Sequence, residues 1–311
     1  MYPNGNEQLY GIVLWGYGGF YHVLLPNDYL LCKLRGIVKN SALGIYPGDK
    51  VRVSRLVKSE KPHQEKISKE GMIEEVMPRK NQLQRPKVAN VEQAILLLAA
   101  KDPKPDFLLL DRMLVMSAYN DVKPVICINK CDLLSGSEQE LLIKELQPYR
   151  QARFPILLLS AKTGQNIDQL VDVLAGRFSV FAGPSGIGKS SLLNAINPEL
   201  ALPVGKISHR LQRGRHTTRH VKIMLLPRDS LVADTPGFSL LDLPQELRIR
   251  DVKNYYPDFM ELGPCRFDGC IHDQEPDCAI KEAHQKGIVS DGRYKRYLRL
   301  LSELREREER Y

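Results

Sequence analysis

Short apolar runs broken by glycine turns fill the first seventy or so residues: "LYGIVLWG", "FYHVLLP", "YLLCKLRG", "DKVRVSRLV" and "GMIEEVMPR". Five such strands predict a small barrel over residues 1–75. An OB-fold, which offers its open face to oligonucleotides, is the first reading, and an SH3-like barrel is the alternative. The turn Tyr46 to Val51, "YPGDKV", supplies the Pro-Gly-Asp chemistry expected before a strand.

From Pro78 to Gln93 the chain is basic, polar and marked by proline, which reads as a linker. Then the period changes. "AILLLAA" and "KPVICINK" are continuous apolar runs suited to buried strands, and "FLLLDRMLVMSAYN" between them has helical spacing. A helix from Glu138 to Leu146, the strand "FPILLLS", the helix "NIDQLVDVLA" and the strand "RFSVFAG" continue the alternation. That pattern predicts a parallel sheet with helices on both faces over residues 82–240. Residues 241–311 differ again, with a cysteine-rich loop and a terminal helix carrying Tyr294, Tyr297, Leu298, Leu301 and Leu304 on one stripe and charges elsewhere.

Composition narrows the class. With 43% hydrophobic and 26% charged residues among 311, the chain reads as soluble and globular in more than one domain. No apolar run is long enough to span a membrane, and the polar start MYPNGNEQLY lacks a signal peptide's apolar core, so a cytoplasmic protein is expected. The net charge of +8 favours a polyanionic partner.

The chemistry begins at Gly183, Pro184, Ser185, Gly186, Ile187, Gly188, Lys189 and Ser190, which match the phosphate loop G-x-x-x-x-G-K-[ST] and are followed by Ser191 and a helical run. Glycines let backbone N–H groups curl around an anion, Lys189 can reach the outer phosphates, and the Ser190 hydroxyl can hold Mg²⁺. Upstream, Asn129-Lys130-Cys131-Asp132 ends a buried strand. Guanine presents N1–H and N2–H₂ side by side, and one fixed carboxylate, Asp132, can accept both. Ser160, Ala161 and Lys162 end the next strand, where a backbone amide can donate to guanine O6. Asp234-Thr-Pro-Gly237 gives the D-x-x-G that couples Mg²⁺ and the γ-phosphate to a second switch. The guanine motifs precede the phosphate motifs, an order that circular permutation explains. Whatever follows Gly237 is then tethered to the γ-phosphate sensor.

Between the two phosphate motifs, Lys206 to Ile223 carries Lys206, Arg210, Arg213, Arg215, Arg219 and Lys222 without one acidic residue. This is the expected first switch, with Thr217 or Thr218 on Mg²⁺ and the γ-phosphate, and so many uncompensated charges call for a polyanion such as RNA to supply phosphate. Phe238 stands where many GTPases place a water-orienting glutamine. His216 is the candidate catalytic group for positioning water or acting as base; the alternative is an RNA contact or simple packing. Finally, Cys265, Cys270, His272 and Cys278 gather four ligands suited to a closed, structural, tetrahedral Zn²⁺ site, with His284 as an outside alternative ligand.

"NKCDLL", "SAKTG", "GPSGIGKSSLLNAI", "RGRHTTRH", "DTPGF" and "CRFDGCIH" with its following cysteine run through nearly the whole chain. Together they resemble the ribosome small-subunit-dependent GTPase family. The resemblance implies a circularly permuted P-loop GTPase domain in the α/β class, an N-terminal OB-like β-barrel and a C-terminal zinc-binding, mainly helical domain. It also implies a monomer that takes GTP and GDP, binds the small ribosomal subunit and its rRNA late in maturation, and hydrolyses GTP as it is released. Two rivals stay open: an rRNA-binding assembly platform in which GTP only tunes affinity, and a permuted GTPase acting on translating ribosomes.

Overall fold

A computed structural model describes residues 8–36, 44–56, 69–84, 86–202, 221–234 and 243–310. The backbone forms two compact units. One holds the described residues up to Glu92, Leu174–Val180 and the described part of His209–Pro236; the other holds Gln93–Val173 and the described parts of Phe181–Ser208 and Gly237–Tyr311.

In the first unit, β1 (Leu9–Tyr17), β2 (Phe20–Leu25), β3 (Asp28–Leu34), β4 (Lys50–Arg55) and β5 (Glu70–Val76) close, among the described residues, into a barrel of order β1-β2-β3-β5-β4. β3 runs parallel to β5 and the other pairings are antiparallel, the OB-like arrangement rather than the SH3-like one. Alternate residues turn inward, as the period of a strand requires, and Val13, Val23, Leu30, Cys32, Val51, Val53 and Ile73 fill the core.

The stretch from Pro78 to Gln93 is more than the linker its composition suggests. It forms the hairpin of β6 (Gln82–Gln84) and β7 (Lys87–Ala89). Arg79 is drawn in by the fully buried Asp49: its Nε and Nη2 donate to the two carboxylate oxygens at 2.7 and 2.8 Å, and its guanidinium lies over the Tyr46 ring at 4.5 Å. A buried charge needs such a bidentate partner. Composition showed the arginine but not the carboxylate waiting for it. The turn beneath is tight, since a Cβ on Gly48 (φ +91°) would lie 2.1 Å from the Ala89 carbonyl oxygen.

The second unit begins with β8 (Gln93–Ala99), buried at every position, as befits a strand covered on both faces. It pairs in parallel with β9 (Lys123–Asn129), and β9 in parallel with β10 (Ile156–Leu158). With β11 (Phe178–Ala182), β12 (Lys222–Leu226) and β13 (Ser230–Asp234) these strands make a sheet of order β10-β9-β8-β11-β13-β12, and the boundary between units runs through β11. β11 and β13 are parallel, while β12 is antiparallel to β13.

Helices α1 (Phe107–Tyr119), α2 (Gly136–Gln151), α3 (Ile167–Leu174) and α4 (Lys189–Ile196) follow β8, β9, β10 and β11 respectively. Side chains fix where they start. Asp106 accepts from Leu109 N at 2.9 Å, and Ser135 and Glu138 form a capping box, so α2 begins directly after "NKCDLL".

Beyond residue 242 a 3₁₀ segment (Ile249–Tyr255), α5 (Pro257–Met260), α6 (Ala279–Gln285) and α7 (Asp291–Glu308) share one core. It joins Val115 of α1 to Val252, Tyr256, Phe259, Tyr297 and Leu301. The α7 stripe is as expected, with Leu300 added and Leu298 only partly buried. Arg293 departs from the expectation of a solvated charged face: it is 1% exposed, donating to Asp111 at 2.5 Å and to both Asp258 oxygens at 3.0 Å, with Tyr256 beneath it at 4.2 Å. Arg296 donates to the other Asp111 oxygen at 2.8 Å, so two guanidinium groups balance two carboxylates. Among the described residues no helix is long and apolar enough to cross a membrane.

Candidate nucleotide site and metal centre

Three of the predicted motifs meet in the second unit through one side chain. Asn129 ends β9 and is 1% exposed. Its Nδ2 donates to the Ile187 carbonyl of the phosphate loop at 2.9 Å, and its Oδ1 accepts the Ala161 N–H at 3.1 Å. Buried amide groups need both partners, so this residue locks "NKCD", "SAK" and "GPSGIGKS" into one arrangement. Sequence assigned Asn129 to guanine; that it also bridges the phosphate loop was not legible, because the loop lies 58 residues away in the chain.

The carboxylate of Asp132, which the sequence assigns to guanine, is itself held. Ser160, fully buried, donates from Oγ to Asp132 Oδ1 at 2.6 Å and accepts from Thr163 N at 3.1 Å. One carboxylate oxygen is oriented and the remaining acceptor capacity stays available to a base. Lys130 sits at φ 64°, in the left-handed region, and its Nζ donates to Gly186 O at 2.7 Å and to the Asp102 carbonyl. The loop after β8, which carries Asp102, had no motif to announce it.

The phosphate loop has the expected strand-loop-helix setting, from β11 into α4. Gly188 (φ +94°) is forced to be glycine, since a Cβ there would lie 2.4 Å from Asn129 Nδ2. It also N-caps α4 without any side-chain cap bond, leaving the first N–H groups of the helix to an anion. Lys189 Nζ donates to Gly183 O at 2.6 Å and Pro184 O at 3.2 Å, which keeps the ammonium over the loop.

Cys265, Cys270, His272 and Cys278 converge as their spacing predicts. Their ligand atoms all lie within 4.8 Å of one another. Each sulfur is 3.4 Å from His272 Nδ1, and the Cys265 and Cys278 sulfurs are 3.7 Å apart. A tetrahedral metal with bonds of ~2.3 Å to sulfur and ~2.0 Å to nitrogen has edges of roughly 3.5–3.8 Å, so the donor set fits Zn²⁺. Burial pushes the Cys270 thiol up to about 12 and lowers the His272 pKa, with Lys253 adding to the latter. Such thiols give up their protons to a cation.

Supporting groups surround the ligands. Tyr294 and Tyr297 donate to the carbonyls of His272 and Ile271 at 2.8 and 2.7 Å, and Glu275 accepts the N–H groups of Ile271 and Asp273 at 2.8 and 2.9 Å. Sequence had read the two tyrosines as packing alone. His284 lies outside the cluster, with Nε2 3.2 Å from Asp291 Oδ1 and its ring against Tyr294.

Asp234 is the last residue of β13. His216, Thr217, Thr218 and Gly237 lie outside the described residues.

A family model described as RsgA GTPase matches residues 76–244. The chain belongs to that family. A curated relative, the Small ribosomal subunit biogenesis GTPase RsgA of Moorella thermoacetica, is 45% identical over 300 residues, covering 96% of this chain and 98% of its own. The protein of the same name from Shouchella clausii is 40% identical, over 97% of this chain and 99% of its own. Among solved structures, YjeQ from Thermotoga maritima aligns with a TM-score of 0.80 at 34% identity, covering 96% of this chain and 98% of that one. YloQ, described as a circularly permuted GTPase, aligns with 0.81 at 31% identity over 99% of this chain and 98% of that one. The chain is thus an RsgA-family GTPase, with a circularly permuted GTPase domain, an OB-like barrel and a Cys₃His cluster.

Proposed function

We propose that the protein hydrolyses GTP on the small ribosomal subunit late in its maturation, that the subunit stimulates hydrolysis, and that hydrolysis is coupled to release. The observation that carries this is the Asn129 junction, whose hydrogen bonds join the Asn129-Asp132 motif, Ala161 and the phosphate loop in an RsgA-family chain. The curated relatives are named for small-subunit biogenesis.

In this reading Asp132, oriented by Ser160, accepts the two donors of guanine. Asn129, Lys130, Ala161 and Lys162 frame the base, and Gly183 to Ser191 take the phosphates. Ser190, with Thr217 or Thr218, would hold Mg²⁺, which would supply neutralising charge to the outer phosphates. Asp234 to Gly237 sense the γ-phosphate, and His216 positions the attacking water in place of the glutamine that Phe238 replaces. Zn²⁺ on Cys265, Cys270, His272 and Cys278 is structural. Residues 1–75, 82–240 and 241–311 divide the work into RNA binding, nucleotide binding and zinc binding.

The barrel supports an rRNA partner: Tyr10, Tyr17, Phe20 and Tyr29 are exposed and Lys33 lies over the Phe20 ring. Exposed rings beside cations suit stacked bases and phosphates. A cytoplasmic monomer fits this role. Hydrolysis measured alone and with purified small or large subunits tests it. Strong stimulation by small subunits is expected; stimulation by large subunits alone overturns the reading.

A further inference from the structure

We propose that Arg307 is a positioning residue for GTP hydrolysis, fixing the point at which the chain leaves the second switch. The inference rests on the reading of Asp234 to Gly237 as that switch. Arg307, in the last turn of α7, donates from Nη1 to Leu243 O at 3.2 Å and Pro244 O at 2.8 Å, and from Nη2 to Leu247 O. Its neighbour Glu308 accepts the Ile249 N–H at 3.1 Å. One guanidinium thus gathers three carbonyls of a single short segment. A planar fork with donors on both arms suits carbonyls spread along a segment in this way.

What makes this clamp more than local packing is the other end of the same helix. Arg293 and Arg296 bind Asp111 of α1, and Arg296 Nη2 lies 3.2 Å from the Tyr149 hydroxyl of α2. Those two helices precede and follow β9, which ends at the guanine motif. From Arg293 to Arg307 a helix rises about 21 Å. Helix α7 is therefore a strut, buried along Tyr297, Leu300, Leu301 and Leu304, that references the exit of the second switch to the helices flanking the base reader.

A fixed exit matters for the chemical step and little for nucleotide binding. Small errors in the placement of a group against the reacting phosphate are costly in rate. The guanine and phosphate-loop contacts do not involve Arg307.

The test uses full-length, zinc-loaded protein with small subunits, measuring kcat, KM for GTP, GDP affinity and zinc content. Arg307→Ala is expected to lower kcat about tenfold, with KM and GDP affinity within about twofold and zinc unchanged. Arg307→Lys, which can donate to these carbonyls but cannot fork across them, should recover part of the loss. Wild-type kcat in Arg307→Ala overturns the proposal. So does a fall in GDP affinity or zinc content as large as the fall in kcat, which marks general damage; should Arg307→Ala fail to fold, Arg307→Lys is judged by the same readouts. Asp234→Ala is the control: full turnover there overturns the switch assignment itself, whatever Arg307→Ala does.

Discussion

The end of the sheet around Asn129 and Asp132, the proposed guanine reader, and the Cys₃His centre belong to the same unit but are held together by opposite means. At the guanine end the sheet does the work. Asn129 and Ser160 stand at or just beyond the ends of parallel strands, are 1% and 0% exposed, and bind one another's motifs through two hydrogen bonds of 2.6 and 3.1 Å, with a third from Asn129 to the phosphate loop at 2.9 Å. The Cys₃His residues stand between α5 and the start of α6, with no strand packed against them among the described residues, and His272 itself lies at φ 63°. A site built on strands is ordered before its ligand arrives; a site built on a loop draws its order from the metal.

Removing zinc breaks the comparison most widely. Structural zinc supplies on the order of 10 kcal/mol of apparent binding energy. Chelation, or Cys270→Ser, is expected to remove one zinc equivalent and to lose amide protection across residues 243–310, while residues 93–173 keep theirs. Hydrogen exchange read segment by segment checks this. Full zinc occupancy in Cys270→Ser counts against the ligand set, and equal loss in both regions ends the contrast.

Asp132→Asn strikes the other side. The amide replaces a double acceptor with one donor and one acceptor, so a guanine N–H faces another N–H. A hundredfold or larger loss of GDP affinity is expected, about 3 kcal/mol, since sites built around buried polar pairs discriminate strongly. Xanthosine diphosphate, with a carbonyl where guanine has its amino group, should bind the variant better than GDP does. Calorimetry with both nucleotides decides, and zinc content should not move.

What was legible in the sequence follows the same divide. Motif residues at strand ends could be placed because the strands are continuous apolar runs such as "AILLLAA" and "KPVICI", and their C-terminal ends are where open sheets bind ligands. The Cys₃His cluster could be found because cysteine and histidine are rare enough for their spacing to speak. Pairings across long separations could not. Asp49 with Arg79, Asp111 with Arg293, and Asn129 with Ile187 join residues 30, 182 and 58 apart, and nothing local marks an arginine as buried. Arg293 looks like any charge on an amphipathic helix until the two carboxylates that neutralise it are seen.

The smallest change asks whether the guanine end is as self-supporting as the comparison claims. Ser160→Ala removes the bond to Asp132 and the one from Thr163 N. If the strand ends alone fix Asp132, the loss is one net hydrogen bond, ~1 kcal/mol or roughly fivefold in GDP affinity. The matching change at the zinc centre is Tyr294→Phe, which frees the His272 carbonyl from its 2.8 Å partner. On a loop, the same deletion should cost more, roughly 10–100-fold in zinc affinity, as lost supporting contacts around metal ligands usually do. Measured side by side by competition titration, a Ser160→Ala loss equal to or greater than the Tyr294→Phe loss would show that the carboxylate depends on its serine as a zinc ligand depends on its tyrosine, and that the sheet confers no special independence.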